Sequence, residues 1–336
     1  MLACGGKRAR PTYYEEFFMT RSTFSTRRRQ IILGGGALAA ASASSMLPAL
    51  AQGAPVRIGV GADPVFTAFF VAASEKLFAR HGANVTVQSY TDGSEALNAL
   101  VAQQVDMGCA GEPTHITRLS RAGIRPLAVT FQSPTYLKLV ARKSISSPEK
   151  IRKFGIVAGS VSEYVTGLTL KKLGIDAAKV EMLRSGPPEL PALLARGDID
   201  AYFVWEPWPT LGVQQGGQIL LTCGEIGYIS TLWLSATGAW IDANKGVATA
   251  ILRALAEASE IVRKDPARAA AALQSVTRIP VAQSLNAFKD MDPVVRDFTD
   301  DDIRNANGIA DFLLSKGAIK APVDMSRVLQ RGFFKA

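Results

Sequence analysis

Around Asp106 and Asp200, 94 residues apart, the chain repeats one pattern, and that repeat limits the possible folds more than any other feature. At this offset Leu100 falls on Leu194, Glu112 on Glu206 and Pro113 on Pro207. The same order of elements precedes each Asp. Residues 56–60 read as a strand, 63–81 as a helix stopped by Gly82, and 85–89 as an alternating strand. Asp92-Gly93-Ser94 opens a helix to about 103, and 105–110 form a third strand ending at Gly111-Glu112-Pro113. In the second copy the strands are 153–158, 180–183 and 199–204, and the helices run from Ser160 to Leu173 and from Pro188 to Arg196. Strand–helix alternation of this kind implies a parallel sheet with crossover helices, here built twice. The expected fold class is α/β, with two domains of related design.

Ligands of open parallel sheets bind beyond the carboxyl ends of the strands, where helix N-termini converge. Two such domains facing each other form a cleft rimmed by loops 61–67, 90–94, 111–114, 159–164, 185–188 and 205–208. Helix starts at Ser94, Thr114 and Ser160 offer N–H groups that suit an anion. Ser160 and Ser162 add hydroxyls, and Phe66, Tyr90, Tyr164 and Trp205 supply apolar walls. Glu112 and Glu206 each follow a third strand and precede a proline. Either they neutralise a cationic group on the ligand, or they accept hydrogen bonds from nearby backbone and shape the turn. With Thr67, Gly93 and Gly111 from the same loops, the expected ligand-binding set is Phe66, Thr67, Gly93, Ser94, Gly111, Glu112, Ser160, Ser162, Tyr164, Trp205 and Glu206. Asp63 and Asp92 read as helix caps, and no arginine is evident on the rim. His115 follows the Gly111-Glu112-Pro113 turn, within reach of a ligand, and His81 ends a helix facing solvent.

Residues 245–264, 266–275, 281–289 and 300–316 read as helices broken by Pro266, Pro280 and Pro293. Without a third sheet to cover, they are expected to pack back on the first domain. The chain then crosses between domains near 136–143 and again near 232–239, and two crossings make a hinge. The expected domains are residues 52–138 with 236–336, and residues 139–235.

The net charge of +9 is concentrated at the front: residues 1–51 carry seven basic and two acidic side chains, and the remainder is only +4. No basic cluster survives there to mark a nucleic-acid face. Arg27-Arg28-Arg29-Gln30-Ile31-Ile32-Leu33, a weakly apolar Gly/Ala/Ser run and Ala49-Leu50-Ala51 describe a signal peptide cleaved after Ala51, of twin-arginine type. Met19 is an alternative start, which would make residues 1–18 an over-extended reading. The mature chain is then expected in a periplasm. Three cysteines (Cys4, Cys109, Cys223) without paired spacing and two histidines argue against a disulfide scaffold or a metal site. Cys109 and Cys223 are expected to be buried free thiols. No catalytic set, metal or cofactor is expected.

Four stretches carry a family likeness: Ser74-Glu75-Lys76-Leu77-Phe78 with Gly82 and Val85-Thr86-Val87; Gln104-Val105-Asp106-Met107-Gly108 with Gly111; Gly159-Ser160 through Leu173-Gly174; and Arg196-Gly197-Asp198-Ile199-Asp200-Ala201 running into Trp205-Glu206-Pro207. Over about residues 56–240 the chain resembles the periplasmic substrate-binding proteins of ABC importers for sulfonates, taurine and nitrate, a group that includes binders of thiamin pyrimidine precursors. The resemblance implies the type II periplasmic binding protein fold, hinge closure around a small organic anion or zwitterion, docking to a membrane permease, and a monomer. It leaves open thiamin pyrimidine precursors, nitrate or an aromatic carboxylate as ligand. It also leaves open a catalytic relative similar to the pyrimidine synthases, whose cysteine cluster CCCFC is absent here.

Overall fold

The computed structural model describes residues 54–329 and 331–334, so the expected signal segment lies outside the described residues. Among the described residues eleven strands occur in chain order: β1 Val56–Gly61, β2 Val85–Tyr90, β3 Met107–Gly111, β4 Ile124–Ser133, β5 Leu137–Arg142, β6 Lys153–Ile156, β7 Glu181–Arg184, β8 Ala201–Trp205, β9 Gly217–Thr222, β10 Ser230–Thr237 and β11 Asp292–Arg296. They form two sheets, ordered β11-β4-β10-β3-β1-β2 and β7-β6-β8-β5-β9. In each, the repeated unit supplies three parallel strands, β2-β1-β3 and β7-β6-β8. The next strand in each sheet is antiparallel: β10 beside β3, and β5 beside β8. These two are the strands that the crossings deliver, so each lobe is completed by chain arriving from the other.

The repeated aspartates explain part of the repeat. Asp106 accepts from the Arg57 amide at 2.8 Å and pairs with the Arg57 guanidinium at 2.9 Å. Asp200 accepts from the Arg152 and Lys153 amides at 2.9 and 3.0 Å and pairs with Arg142. Each satisfies backbone donors at the start of the middle one of its lobe's three parallel strands, so the pair belongs to the scaffold and leaves the strand ends free for the site.

Three differences from expectation have local causes. The expected crossings near 136–143 and 232–239 are themselves strands β5 and β10; the change of sheet occurs earlier, at 134–136 and 223–229. Almost every residue of β10 is buried, which gives it no period-two signal. The helix expected over 63–81 is broken into a 3₁₀ turn Pro64–Phe66, a helix Thr67–Ser74 and a turn Leu77–Arg80, with Lys76 at φ 56° redirecting the chain. Pro293 sits in β11, an edge strand, where a missing N–H costs nothing on the open side. The C-terminal helices Lys245–Lys264 and Pro266–Thr277 pack on the helix Thr67–Ser74 of the first lobe.

The two crossings are tied to each other. The Gly224 amide donates to the Pro134 carbonyl at 2.6 Å, the Cys223 amide to Leu137 at 3.1 Å, and the Cys223 thiol to Pro134 at 3.1 Å. A Cβ at position 224 would lie 2.9 Å from Pro134, so glycine is what lets the two crossings meet. Cys109 and Cys223 are buried free thiols, raised by burial to about 12 and about 11.

Candidate ligand site

Between the lobes, beyond the carboxyl ends of β1, β3 and β8, lies a narrow cavity of about 40 Å³ that opens to solvent. Its walls are largely apolar: Val65, Phe66, Phe131, Val161, Trp205 and Leu232. A Cβ at Gly61 would meet the Phe66 ring at 2.5 Å and Asp63 Oδ2 at 3.1 Å, so the end of β1 must be glycine for this wall to close. From the expected set the structure brings together Phe66, Gly93, Ser94, Gly111, Ser160 and Trp205 in the cavity wall.

The hydroxyls gather where the lobes meet. Ser94 Oγ lies 3.5 Å from Thr114 Oγ1, and Thr114 donates across the lobes to the Gly159 carbonyl at 3.4 Å. Arg118 Nη1 reaches the same carbonyl at 3.5 Å and the Thr114 carbonyl at 3.1 Å, so an arginine that sequence reasoning missed stands directly behind this cluster. Asp92 caps the helix Gly93–Val101 as expected, accepting from the Ser94 and Glu95 amides at 2.7 and 3.0 Å. Ser160 caps the helix Val161–Lys172 by accepting from the Ser162 amide at 3.1 Å, and donates to the Val157 carbonyl at 2.7 Å.

Asp63 is not a cap. By geometry its side chain makes no capping hydrogen bond to the turn that follows, although the nearby Val65 amide of that turn favours its charge; it is 3% exposed, and its Oδ1 has no hydrogen-bond partner among the described residues. It lines the cavity with Tyr136, Trp205 and Ser230. Burial and the nearby Asp92 push its carboxyl well above the usual carboxylate range, while the Val65 amide and the Trp205 indole offset part of the shift. Asp63, Thr114, Tyr136 and Ser230 are wall residues absent from the expected set. The acid sits directly after a strand end, which was the available signal.

The remaining expected residues lie outside the cavity wall. Thr67 is fully buried and donates to the Pro64 carbonyl at 2.6 Å. Ser162 accepts from the Val157 amide at 3.2 Å. Tyr164 packs edge-on against Tyr228 and Phe312 and faces a wider groove between the helices Val161–Lys172 and Asp300–Ser315. Tyr90 donates to Gln88 at 3.1 Å.

Glu112 and Glu206 are each 1% exposed, and the structure gives them protein partners. Glu112 accepts from Tyr228 Oη at 2.8 Å and from the amide and hydroxyl of Thr231 at 2.9 and 2.8 Å; burial raises its carboxyl to about 7 against these bonds. Glu206 pairs with Lys138 at 2.6 Å and accepts from the Thr210 amide at 3.2 Å, and its backbone carbonyl accepts from Tyr136 Oη at 3.1 Å. Each glutamate therefore anchors the chain on one side of a crossing to a lobe. Of the two expected readings of the pair, the bonds from the Thr210 and Thr231 amides accord with the second, acceptance from backbone, and the further partners Tyr228 and Lys138 lie next to the crossings. His115 is also fully buried: its Nδ1 meets the Gly111 carbonyl at 3.1 Å, its ring lies on Trp233, and burial lowers it to about 3. His81 meets Glu257 at 2.9 Å. Among the described residues no group of acidic, His and Cys side chains could hold a metal ion, and no helix is long and apolar enough to cross a membrane.

A model of the NMT1-like family matches residues 51–276. The chain is 27% identical over 161 residues to the taurine-binding periplasmic protein of Escherichia coli (strain K12), an alignment covering 47% of this chain and 50% of the relative. It thus spans about half the length of such curated relatives. Among solved structures it superposes on the periplasmic aliphatic sulphonate binding protein SsuA from Escherichia coli with a TM-score of 0.74 at 17% identity, covering 84% of this chain and 94% of that one. The desulfurization enzyme DSZB superposes with a TM-score of 0.61 at 15% identity, covering 83% and 97%. These likenesses show the periplasmic binding protein fold, two α/β lobes around a cleft.

Proposed function

We propose, from the premise that the chain belongs to the NMT1-like family, that it is the exported solute-binding component of an ABC importer. It captures a small organic anion or zwitterion of the sulfonate or taurine kind by closing two lobes on it. The observation that carries this reading is the interlobe cavity itself. It is closed by groups from both lobes, with Thr114 and Arg118 on one side and Gly159 on the other, and it pivots on two crossings hydrogen-bonded to each other. Small-molecule sites have this composition, apolar walls with a few placed polar groups. Export to the periplasm follows from the same family reading, and the permease is the partner it implies. Lobe boundaries at the crossings, near residues 134–136 and 223–229, go with this proposal.

Binding without chemistry is supported by the state of the available nucleophiles and bases. The described thiols are buried and raised, and His115 is held neutral away from the cavity wall. A thermal-shift panel of taurine, alkyl and aromatic sulfonates, nitrate, aromatic carboxylates and thiamin pyrimidines tests the proposal. A ligand at a hundred times its Kd adds about 2.7 kcal/mol, a shift of several degrees. Stabilisation by one class and no turnover of that solute is the expected result. A well-folded protein that ignores the whole panel, or consumes a member of it, would contradict the proposal.

A further inference from the structure

The cavity has two chemically distinct ends. At one, Asp63 is buried beside Trp205 and Tyr136 with Oδ1 unpartnered; at the other, Ser94, Thr114 and Ser160 gather at the helix starts. The other buried acids near the strand ends are already used: Glu112 by Tyr228 and Thr231, Glu206 by Lys138 and Thr210, and Asp92 by its helix. Among the described residues no lysine or arginine is part of the cavity wall. Leaving a buried carboxyl oxygen without a partner is costly, so a site that keeps one calls for a donor from outside.

Building on the importer reading above, we propose that the cavity selects a small zwitterion, its cationic group seated on Asp63 and its anionic group at the Ser94 hydroxyl, beside Thr114 and Ser160, whose own hydroxyls already donate to the Gly159 and Val157 carbonyls. Once Asp63 is ionised, a purely anionic solute meets a wall acid that repels it. A zwitterion balances both ends and spares the protein a lysine or arginine clamp.

The groups facing Asp63 are Asp92, Tyr136, the Cys109 thiol, the Trp205 indole and the Val65 amide; of these Asp92 disfavours its charge, and the amide and indole favour it. A cation on Asp63 needs the carboxylate, whose pKa in the free protein is raised. Affinity for a zwitterion therefore strengthens as pH rises, and affinity for a simple anion weakens.

Calorimetric titration of the purified protein with two matched pairs, taurine with ethanesulfonate and β-alanine with propionate, at pH 5 and pH 8, decides the matter. In at least one pair the amino member should bind at least tenfold tighter at pH 8, with the advantage shrinking at pH 5. Asp63→Asn, and Asp63→Ala as a second variant, should abolish that advantage while retaining a native circular dichroism spectrum. If the amine-free member binds as well or better and tightens towards pH 5, the zwitterion assignment fails and the importer reading stands, with Asp63 a protonated donor to an anion. If none of the four binds, the zwitterion assignment fails together with the sulfonate or taurine reading it rests on.

Discussion

Asp63 keeps a proton more tightly in the folded chain than in the unfolded one, because burial disfavours its charge. The sign of the consequence follows from linkage: where the folded state binds more protons, stability falls as pH rises from the unfolded pKa to the folded one. Asp63→Asn should therefore raise the apo melting temperature at pH 8, by about 1.4 kcal/mol of stability for each unit of pKa elevation removed, and the gain should fade towards pH 4. A variant less stable than the parent at pH 8 would show that the carboxylate is satisfied within the protein. Glu112 is also raised by burial, to about 7, but against three bonds from Tyr228 and Thr231 that favour its charged form. Tyr228→Phe removes one of them and should cost about 1–3 kcal/mol at pH 8, where Glu112 is ionised, and less at pH 5, where it is protonated. Denaturant melts at the two pH values measure the difference, and equal losses would contradict an ionised acceptor. These roles were only half legible in the sequence. Asp92 caps its helix as its spacing suggests, but Asp63 has the same local look and no cap. The partners of Glu112 and Glu206, Tyr228, Thr231 and Lys138, lie from 68 to 119 residues away along the chain.

Among elements, the parallel strands were readable because each is short, bounded by turn residues and followed by a periodic helix. The repeated aspartates mark the same register point in both lobes. Strands β4, β5 and β10 were not, because a strand buried on both faces carries no alternation, and the strand delivered by a crossing reads as the crossing itself. Beside one crossing stands Lys138 of β5, whose ammonium bridges Glu206 at the end of β8 and Asp290 beside β11, both at 2.6 Å. Lys138→Met leaves the buried Glu206 unpaired and should cost about 3–5 kcal/mol, most of it recovered in the double variant with Glu206→Gln. Additive losses in that cycle, measured by urea unfolding, would show that the two residues act independently.

For the whole molecule, contacts between the lobes include the Tyr164–Phe312 ring contact and several polar ones: Thr114 to Gly159, Arg118 to Gly159, Lys138 to Asp290 at 2.6 Å, and Asn286 to Thr210 at 3.2 Å. Such a set suits a closed form whose free energy lies near that of an open one, so that a solute can tip the balance. Thr114→Val removes one bond worth about 0.5–1.5 kcal/mol. It should weaken solute affinity by a few-fold and raise the radius of gyration of the apo protein in small-angle scattering, with little change in melting temperature. An unchanged radius and affinity would mean that closure does not depend on this contact.

The central claim is that a small solute is held between the lobes in the cavity beyond β1, β3 and β8. A crystal structure of the protein grown with the panel solute that stabilises it most tests this directly. The account predicts density enclosed by Phe66, Trp205 and Ser160, with a polar group of the solute within hydrogen-bond distance of Asp63. Density in the outer groove beside Tyr164 and Phe312, with this cavity empty, would contradict it.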